Sequence, residues 1–324
     1  MTPTILVVGS LNMDLVVRAE RMPGPGQTLI GRGFQTVPGG KGANQAVAAA
    51  RLGAKTYMIG RVGGDAFGKT LVENLKQSGV TTDFLKTDKS EPNGIAIIIV
   101  DDNGENSIVV APGANAKVTP RDVRGARAAW NEASHVVLQL EIPLDAVECA
   151  LDTAREKGVM SILDAGPAMK VPMDLLRKAD VLSPNESETE ALIGRKVTDL
   201  DSARDAAKRF LDEGIRTVVL KLGDEGCLVA GANVIASAAC RGAKQSHDAC
   251  NMTHIPAYKV KAVDTTAAGD AFTAALAVSL AEGKTLLDAA RYATAVGALA
   301  VTAFGAQPSM PTREKVERFI ASRS

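Results

Sequence analysis

Little in this chain of 324 residues can stack, crosslink or carry excess charge. Aromatic residues make up 3% of it, so flat side chains on which bases or sugar rings could lie are scarce. Lys and Arg number 37 against 37 Asp and Glu. With no positive excess, binding of nucleic acid through its backbone charge is not expected. The four cysteines, Cys149, Cys227, Cys240 and Cys250, are too few and too scattered for a disulfide framework. The longest apolar runs, such as 94–100 and 271–281, fall short of the roughly 20 residues a membrane helix needs, so no membrane partner is expected. The opening residues carry no basic stretch and enter a strand-like run at once, unlike a signal peptide. A cytoplasmic protein is the expectation.

What is present is ordinary globular material, 46% hydrophobic and 23% charged, which argues against general disorder. The length suits about two domains, or one large α/β domain with an insertion. Short β-branched runs recur at 5–8, 56–59, 135–140, 159–163, 179–182 and 217–222, most of them alternating with helical patterns. The clearest helix is 202–213. Ala203, Ala206, Ala207 and Phe210 share a face, Asp205 and Arg209 stand four apart, and Gly214 supplies the stop. Strands that do not alternate are buried on both faces. The expected fold class is therefore α/β, a Rossmann-like, mostly parallel sheet flanked by helices, with ligands at the carboxyl ends of the strands.

Two stretches break this rhythm. Residues 12–37 hold two strand-like pieces and no helix, and 93–111 read as strand–turn–strand around Asp-Asp-Asn-Gly-Glu-Asn. Paired, they would make a small β-sheet projecting from the body as a lid; unpaired, they would be two unrelated surface hairpins. The expected division is a body of 1–11, 38–92 and 112–324 and a lid of 12–37 and 93–111. The least patterned region, 233–256, reads as a long loop or irregular hairpin.

The most informative segment is Val263-Asp-Thr-Thr-Ala-Ala-Gly-Asp270, joining an expected strand (258–263) to an apolar helix (about 268–280). Small residues at Ala267, Ala268 and Gly269 leave backbone N–H groups bare at the helix start, which makes an anion site. Asp270 follows in the first turn, where the helix favours its ionised, proton-accepting form. An anion cradle beside a base is what transfer of a phosphoryl group to an alcohol requires; a carboxylate that merely caps the helix fits the same position.

A second segment, Gly39-Gly-Lys-Gly-Ala-Asn-Gln45, combines glycines that allow close approach to the backbone with Lys41, Asn44 and Gln45, which suit polyol hydroxyls. In Gly9-Ser-Leu-Asn-Met-Asp14, strand alternation puts Asn12 and Asp14 on one face, able to fork vicinal hydroxyls. Asn185 and Glu188 suit water-mediated Mg²⁺ and phosphate contacts, and equally an N-cap with its partner three residues on.

Two matches are weighed as coincidences. Gly63-Gly-Asp-Ala-Phe-Gly-Lys-Thr70 fits the P-loop pattern letter for letter, but Asp65 would put negative charge where phosphate should sit and Phe67 is bulky. Cys240, His247, Cys250 and His254 fit no common zinc spacing.

In their order and spacing, these segments resemble the PfkB-type carbohydrate kinase family over almost the whole chain, from Gly9 through the 39–45, 185–188 and 264–270 segments to Gly305-Ala-Gln-Pro-Ser309. The full 39–45 form together with 305–309 resembles its ribose-acting branch. The resemblance implies a β lid, ATP as donor, D-ribose phosphorylated at its 5-hydroxyl, and a homodimer joined through the lids. Asp270 would be the base, with the amides from Ala267 through Ala268 and Gly269 to Asp270 holding the transferring group. Asn12, Asp14, Gly40, Lys41, Asn44 and Glu141 would hold the sugar. Asn185 and Glu188 would act through Mg²⁺ and the phosphates, while Lys221, Gly223, Gly226, Gly269 and Thr294 would lie along the nucleotide. A monovalent cation, K⁺, would be held by Asp264, Ser309 and the carbonyls of Thr266, Ala300, Ala303 and Gly305. Two departures stand out: Lys221 occupies a position where Thr is more usual, and Asp164-Ala-Gly-Pro167 replaces an Asn-Pro-Ala type sequence. Sibling kinases acting on deoxyribose, fructose or a nucleoside, a sugar or nucleotide sensor without turnover, and a P-loop NTPase are the competing readings.

Overall fold

The computed structural model describes residues 2–231 and 252–323. Its larger sheet has nine strands: β1 (Thr4–Val8), β4 (Lys55–Gly63), β5 (Val80–Asp88), β8 (His135–Leu138), β9 (Met160–Asp164), β10 (Val181–Ser183), β11 (Thr217–Lys221), β12 (Cys227–Gly231) and β13 (Met252–Ile255). The spatial order is β13-β12-β11-β10-β9-β8-β1-β4-β5, with every pairing parallel except the two made by β12, which runs opposite to its neighbours. Ile5 to Val8 are fully buried because both faces of β1 are covered. Ile5 and Val7 pack with the 41–51, 66–77, 268–281 and 286–300 helices, Leu6 and Val8 with helices on the other face. Buried alanines line these helices and let them sit close to the sheet.

The chain runs from β1 outward through β4 to β5, then returns to β1's other side at β8 and continues to β11. This reversal is a topological switch point, so the carboxyl ends of the strands open into a crevice there. Asn12, Glu141, Asp164, Asn185 and Lys221 lie at or just past the ends of β1, β8, β9, β10 and β11. Residues far apart in the chain thus share one edge of the sheet.

A second sheet has the order β3-β2-β6-β7, with β2 (Asn12–Arg18), β3 (Gly33–Gly39), β6 (Gly94–Val100) and β7 (Asn106–Ala111). The two irregular stretches of the sequence therefore pair, through β2 and β6 running parallel. The turn between β6 and β7 closes at Asp101 to Glu105, with Gly104 at φ +82°.

Two local expectations are corrected, and a third is narrowed to its hairpin alternative. The 202–213 helix is Leu200–Asp212, entered through a reciprocal cap between Asp199 and Ser202, and Arg209 pairs with Glu213 at 2.6 Å rather than with Asp205. Residues 258–263 form no strand: Pro256 ends β13, and the chain leaves the sheet to wall a cavity. In the poorly patterned region, Met252–Ile255 is a regular strand against β12, while 233–251 lie outside the described residues.

Candidate active site

The site is built from carboxylates and amides brought to the crevice. Asn12 opens β2, and its Oδ1 accepts from Nδ2 of Asn115 at 2.8 Å. Asn115 is itself locked to the backbone of Leu11 through both ends of its amide. No motif surrounds Asn115 in sequence; only the fold brings it there. Asp14 lies two residues on, beneath the same face. Glu141 accepts from Ser10 Oγ at 2.5 Å and from the backbone N–H of Lys41 at 3.1 Å, so a carboxylate meets the N-terminus of the Lys41–Arg51 helix.

Gly39 and Gly42, on either side of that helix start, are required by the chain itself. A Cβ on Gly39 would meet the Asp14 carboxylate at 2.2 Å, and one on Gly42 the backbone of Ser10 at 2.6 Å. They let the helix start press against the β1–β2 turn.

Asp270, at 4% exposure, lies at the centre. Its Oδ2 accepts from Asn44 Nδ2 at 2.9 Å and its Oδ1 from Gln45 Nε2 at 3.2 Å, while Lys41 Nζ stands 3.9 Å away. Gln45 also donates to Asp164 Oδ2 at 3.0 Å, and Gln139 donates to Gln45 Oε1. Oδ1 of Asn44 is buried without a partner, an acceptor free for a hydroxyl.

The Ala268–Ala281 helix that carries Asp270 begins at Ala267, with φ +59°, the one non-glycine with positive φ among the described residues. A left-handed alanine costs on the order of 1 kcal/mol. It offers no capping side chain; the N–H of Ala268 turns back to Thr265 O at 3.3 Å, and the next N–H groups, of Gly269 and Asp270, are the ones left for an anion.

Electrostatics depart from the helix-dipole expectation. Burial raises the Asp270 carboxyl to about 6 despite the opposing pull of Lys41. Burial, then Glu141 and Asp270, raises Asp14 to about 7. Burial works against the Lys41 ammonium, but Asp270 and the other carboxylates outweigh it and hold Lys41 above its usual range.

Two cavities meet at this helix start, and Thr265 lines both. The larger, about 750 Å³, is walled by Asn185, Lys221, Gly223, Gly226, Gly269 and Thr294. Ala268 is also on its wall. The hydroxyl of Thr294 is spent on Ala290 O at 2.8 Å. Asn185 and Glu188 form the reciprocal cap of the Glu186–Ile193 helix, so the structural alternative for this pair is realised, yet Glu188 still reaches within 3.9 Å of Lys221 Nζ. The smaller cavity, about 590 Å³, lies between the second sheet and the 264–266 turn and includes Asp14.

Asp264 ties that turn to Gly305. Its Oδ1 accepts from the N–H of Thr266 and its Oδ2 from the N–H of Gly305, both at 2.9 Å. Ala300 is joined to Ala303 by a backbone bond, and Ser309 is buried beside Ala306. One carboxylate with a hydroxyl and carbonyls is an all-oxygen donor set of single charge, which fits a hard monovalent cation.

The P-loop match is explained away by its own acid. Asp65 caps the Ala66–Gln77 helix by accepting from Gly68 N at 2.9 Å and also accepts from Asn93 N at 2.8 Å. The carboxylate fills the place a phosphate would need. Of the zinc candidates, Cys240, His247 and Cys250 lie outside the described residues, and His254 Nε2 bonds Glu225 O at 2.7 Å.

The description "pfkB family carbohydrate kinase" matches residues 2–313. A ribokinase of Haemophilus influenzae is 40% identical over 322 residues, covering 99% of each chain. A deoxyribokinase of Salmonella typhi is 33% identical over 318 residues, covering 98% of each. The structure of Arabidopsis thaliana ribokinase complexed with ribose and ATP superposes with a TM-score of 0.85 at 36% identity, covering 99% of each chain.

Proposed function

This chain belongs to the pfkB family of carbohydrate kinases, and from that premise we propose that it transfers the γ-phosphoryl group of ATP to the 5-hydroxyl of D-ribose, giving ribose 5-phosphate and ADP. The observation that carries the chemistry is the buried Asp270 in the first turn of a helix that has no capping side chain and borders the larger cavity at Ala268 and Gly269. Asn12, Asp14, Gly40, Lys41, Asn44 and Glu141 hold the sugar. Asp270 takes the 5-hydroxyl proton, the oxygen attacks the γ-phosphorus in line, and the bond to the β-phosphate oxygen breaks. The N–H groups from Ala267 to Asp270 receive the charge on the transferring oxygens without having to reorient. Gly223, Gly226, Gly269, Lys221 and Thr294 line the nucleotide. The second sheet is the lid that excludes water as a competing acceptor.

Mg²⁺ would ride on the phosphates and neutralise their charge, reached by Asn185 and Glu188 through water; one nearby carboxylate with several waters suits it. K⁺ at Asp264, Ser309 and the carbonyls of Thr266, Ala300, Ala303 and Gly305 would hold the anion-site turn in shape. The outer face of the second sheet supports a homodimer. Phe34, Ile97 and Val109 are 63%, 44% and 64% exposed there, while Asp14, Val16 and Ile98 point inward to the cavity. A second copy of that face would cover it. ATP as donor and the free thiols of Cys149 and Cys227 suit a cytoplasmic setting.

The test is ADP release from ATP with a panel of acceptors, run with and without K⁺. Ribose should lead, with deoxyribose the nearest rival, since a deoxyribokinase is among the relatives. Asp270→Ala should lose about 10²- to 10⁴-fold in kcat with ribose affinity little changed; near-normal turnover would remove the base. K⁺, and not choline, should raise the melting temperature of the protein without substrates, and Asp264→Ala should abolish that difference.

A further inference from the structure

The two departures noted in the sequence, Asp164 and Lys221, touch. They sit at the ends of β9 and β11 with β10 between them, and Lys221 Nζ lies 3.1 Å from Asp164 Oδ1. Asp164 is saturated: Gln45 and Thr273 donate to its Oδ2, and the N–H of Gly166 reaches Oδ1 beside the lysine. Burial alone would raise this carboxyl, but the Lys221 and Lys41 ammonium groups outweigh it and hold Asp164 below the usual carboxylate range. Asp164 stays charged, then, and has no lone pair to spare for chemistry.

Lys221 is placed differently. Its ammonium carries three protons, of which Asp164 takes one, and Glu188 at 3.9 Å is beyond hydrogen-bond reach. The side chain lines the larger cavity beside Ala268 and Gly269. A Cβ built on Gly269 would stand 3.7 Å from Nζ, so the charge lies beside Gly269 in the first turn of the helix. Lys41 Nζ lies 3.9 Å from Asp270, and a Cβ built on Gly166 would meet both it and Glu188 Oε1 at 2.7 Å. Lys41 is thus the lysine nearest Asp270, and Lys221 the one on the wall of the larger cavity.

We propose that Lys221 is a further catalytic residue, its ammonium meeting the terminal phosphate oxygens of the nucleotide above the Gly269 N–H, and that Asp164 is the positioning residue that aims it. The proposal rests on the phosphotransfer reading above. During transfer Lys221 keeps its proton and supplies only charge, while the 5-hydroxyl proton goes to Asp270. A fixed cation aimed where charge gathers, in a site from which water is excluded, stabilises the transferring group more than the bound substrate. The acid at position 164 and the base at position 221 are thus one change: a buried carboxylate is tolerated because the lysine neutralises it, and the lysine is aimed because the carboxylate holds it.

The experiment compares Lys221→Thr, Asp164→Asn and the double variant. Lys221→Thr should lose about 10²-fold in kcat, the usual scale for one preorganised donor. A non-hydrolysable ATP analogue should bind it about ten times more weakly, with ADP affinity unchanged. Either single variant should melt at a lower temperature, and the double should regain that stability without regaining kcat. A double variant that recovers kcat along with stability, or equal weakening for ADP and the ATP analogue, would overturn the proposal by making the pair purely structural. Absence of ribose-dependent ADP release in the parent protein would instead count against the functional reading, and the analogue-against-ADP contrast would still decide the role of Lys221.

Discussion

Asp270 and Asp65 are both acids in the first turn or cap of a helix, and their surroundings give them opposite duties. Asp65 accepts from Gly68 and Asn93 and closes its helix start; Asp270 leaves its helix start open and faces amides and a lysine. Asp65→Ala should cost about 1–2 kcal/mol, the scale of a lost cap, read as a shifted denaturant midpoint with kcat retained. Lys69→Ala should leave kcat within about twofold, since no phosphate sits at that loop; loss of activity there would revive the P-loop reading. With Asp270 at about 6, the base is lost on protonation, so kcat/KM for ribose should fall at least tenfold per pH unit below about 6. A profile flat down to pH 4.5 would show that a different group takes the proton.

At the scale of elements, the second sheet has two unlike faces because side chains alternate along each strand. Asp14, Val16 and Ile98 turn toward the cavity; Phe34, Ile97 and Val109 turn to the outside. Val109→Asp places a charge on the outer face without touching the inner one. It should convert a dimer to a monomer in sedimentation experiments while leaving the circular dichroism spectrum unchanged; an unaltered sedimentation coefficient would remove the proposed interface. The helix starts differ as informatively. Asn185 and Asp199 close theirs with reciprocal bonds, whereas Ala267 takes a left-handed conformation and offers no side-chain cap.

For the whole molecule, the crevice concentrates buried acids, and that has a cost in stability. The Asp14 carboxyl is raised from 3.8 to about 7 when folded. An acid raised on folding destabilises the native state fully above its folded value, and the penalty fades as pH falls toward 3.8. Asp14→Asn should therefore be more stable than the parent by on the order of 2 kcal/mol at pH 8, with the difference vanishing near pH 4 and ribose binding lost. His135, buried in β8, moves the other way. Burial lowers it from 6.5 to about 4, with only partial opposition from Asp180. Its contribution is complete above pH 6.5 and is lost as pH falls through 6.5 toward 4. His135→Gln should flatten that loss in melting temperatures taken across this range, and an unchanged pH slope would show that His135 is not its source.

The fold class, the pairing of the two irregular stretches and the small-residue helix start at 267–269 were legible in the sequence, because hydrophobic period, turn residues and absent Cβ atoms act locally. Asn12 and Asp14 were legible for the same reason, since strand alternation alone puts them on one face. Asn115, Gln139 and the sharing of Gln45 between Asp164 and Asp270 carry no local signature and came only from the fold. So did the strand at Met252–Ile255 and the service of Gly39 and Gly42 to their own chain. The charge state of Asp270 belongs to this second kind. Position at a helix start favours its ionised form, but burial by residues up to 226 positions away raises it instead. Desolvation is a property of what surrounds a group in space, and a parallel sheet assembles those surroundings from strand ends that are remote along the chain.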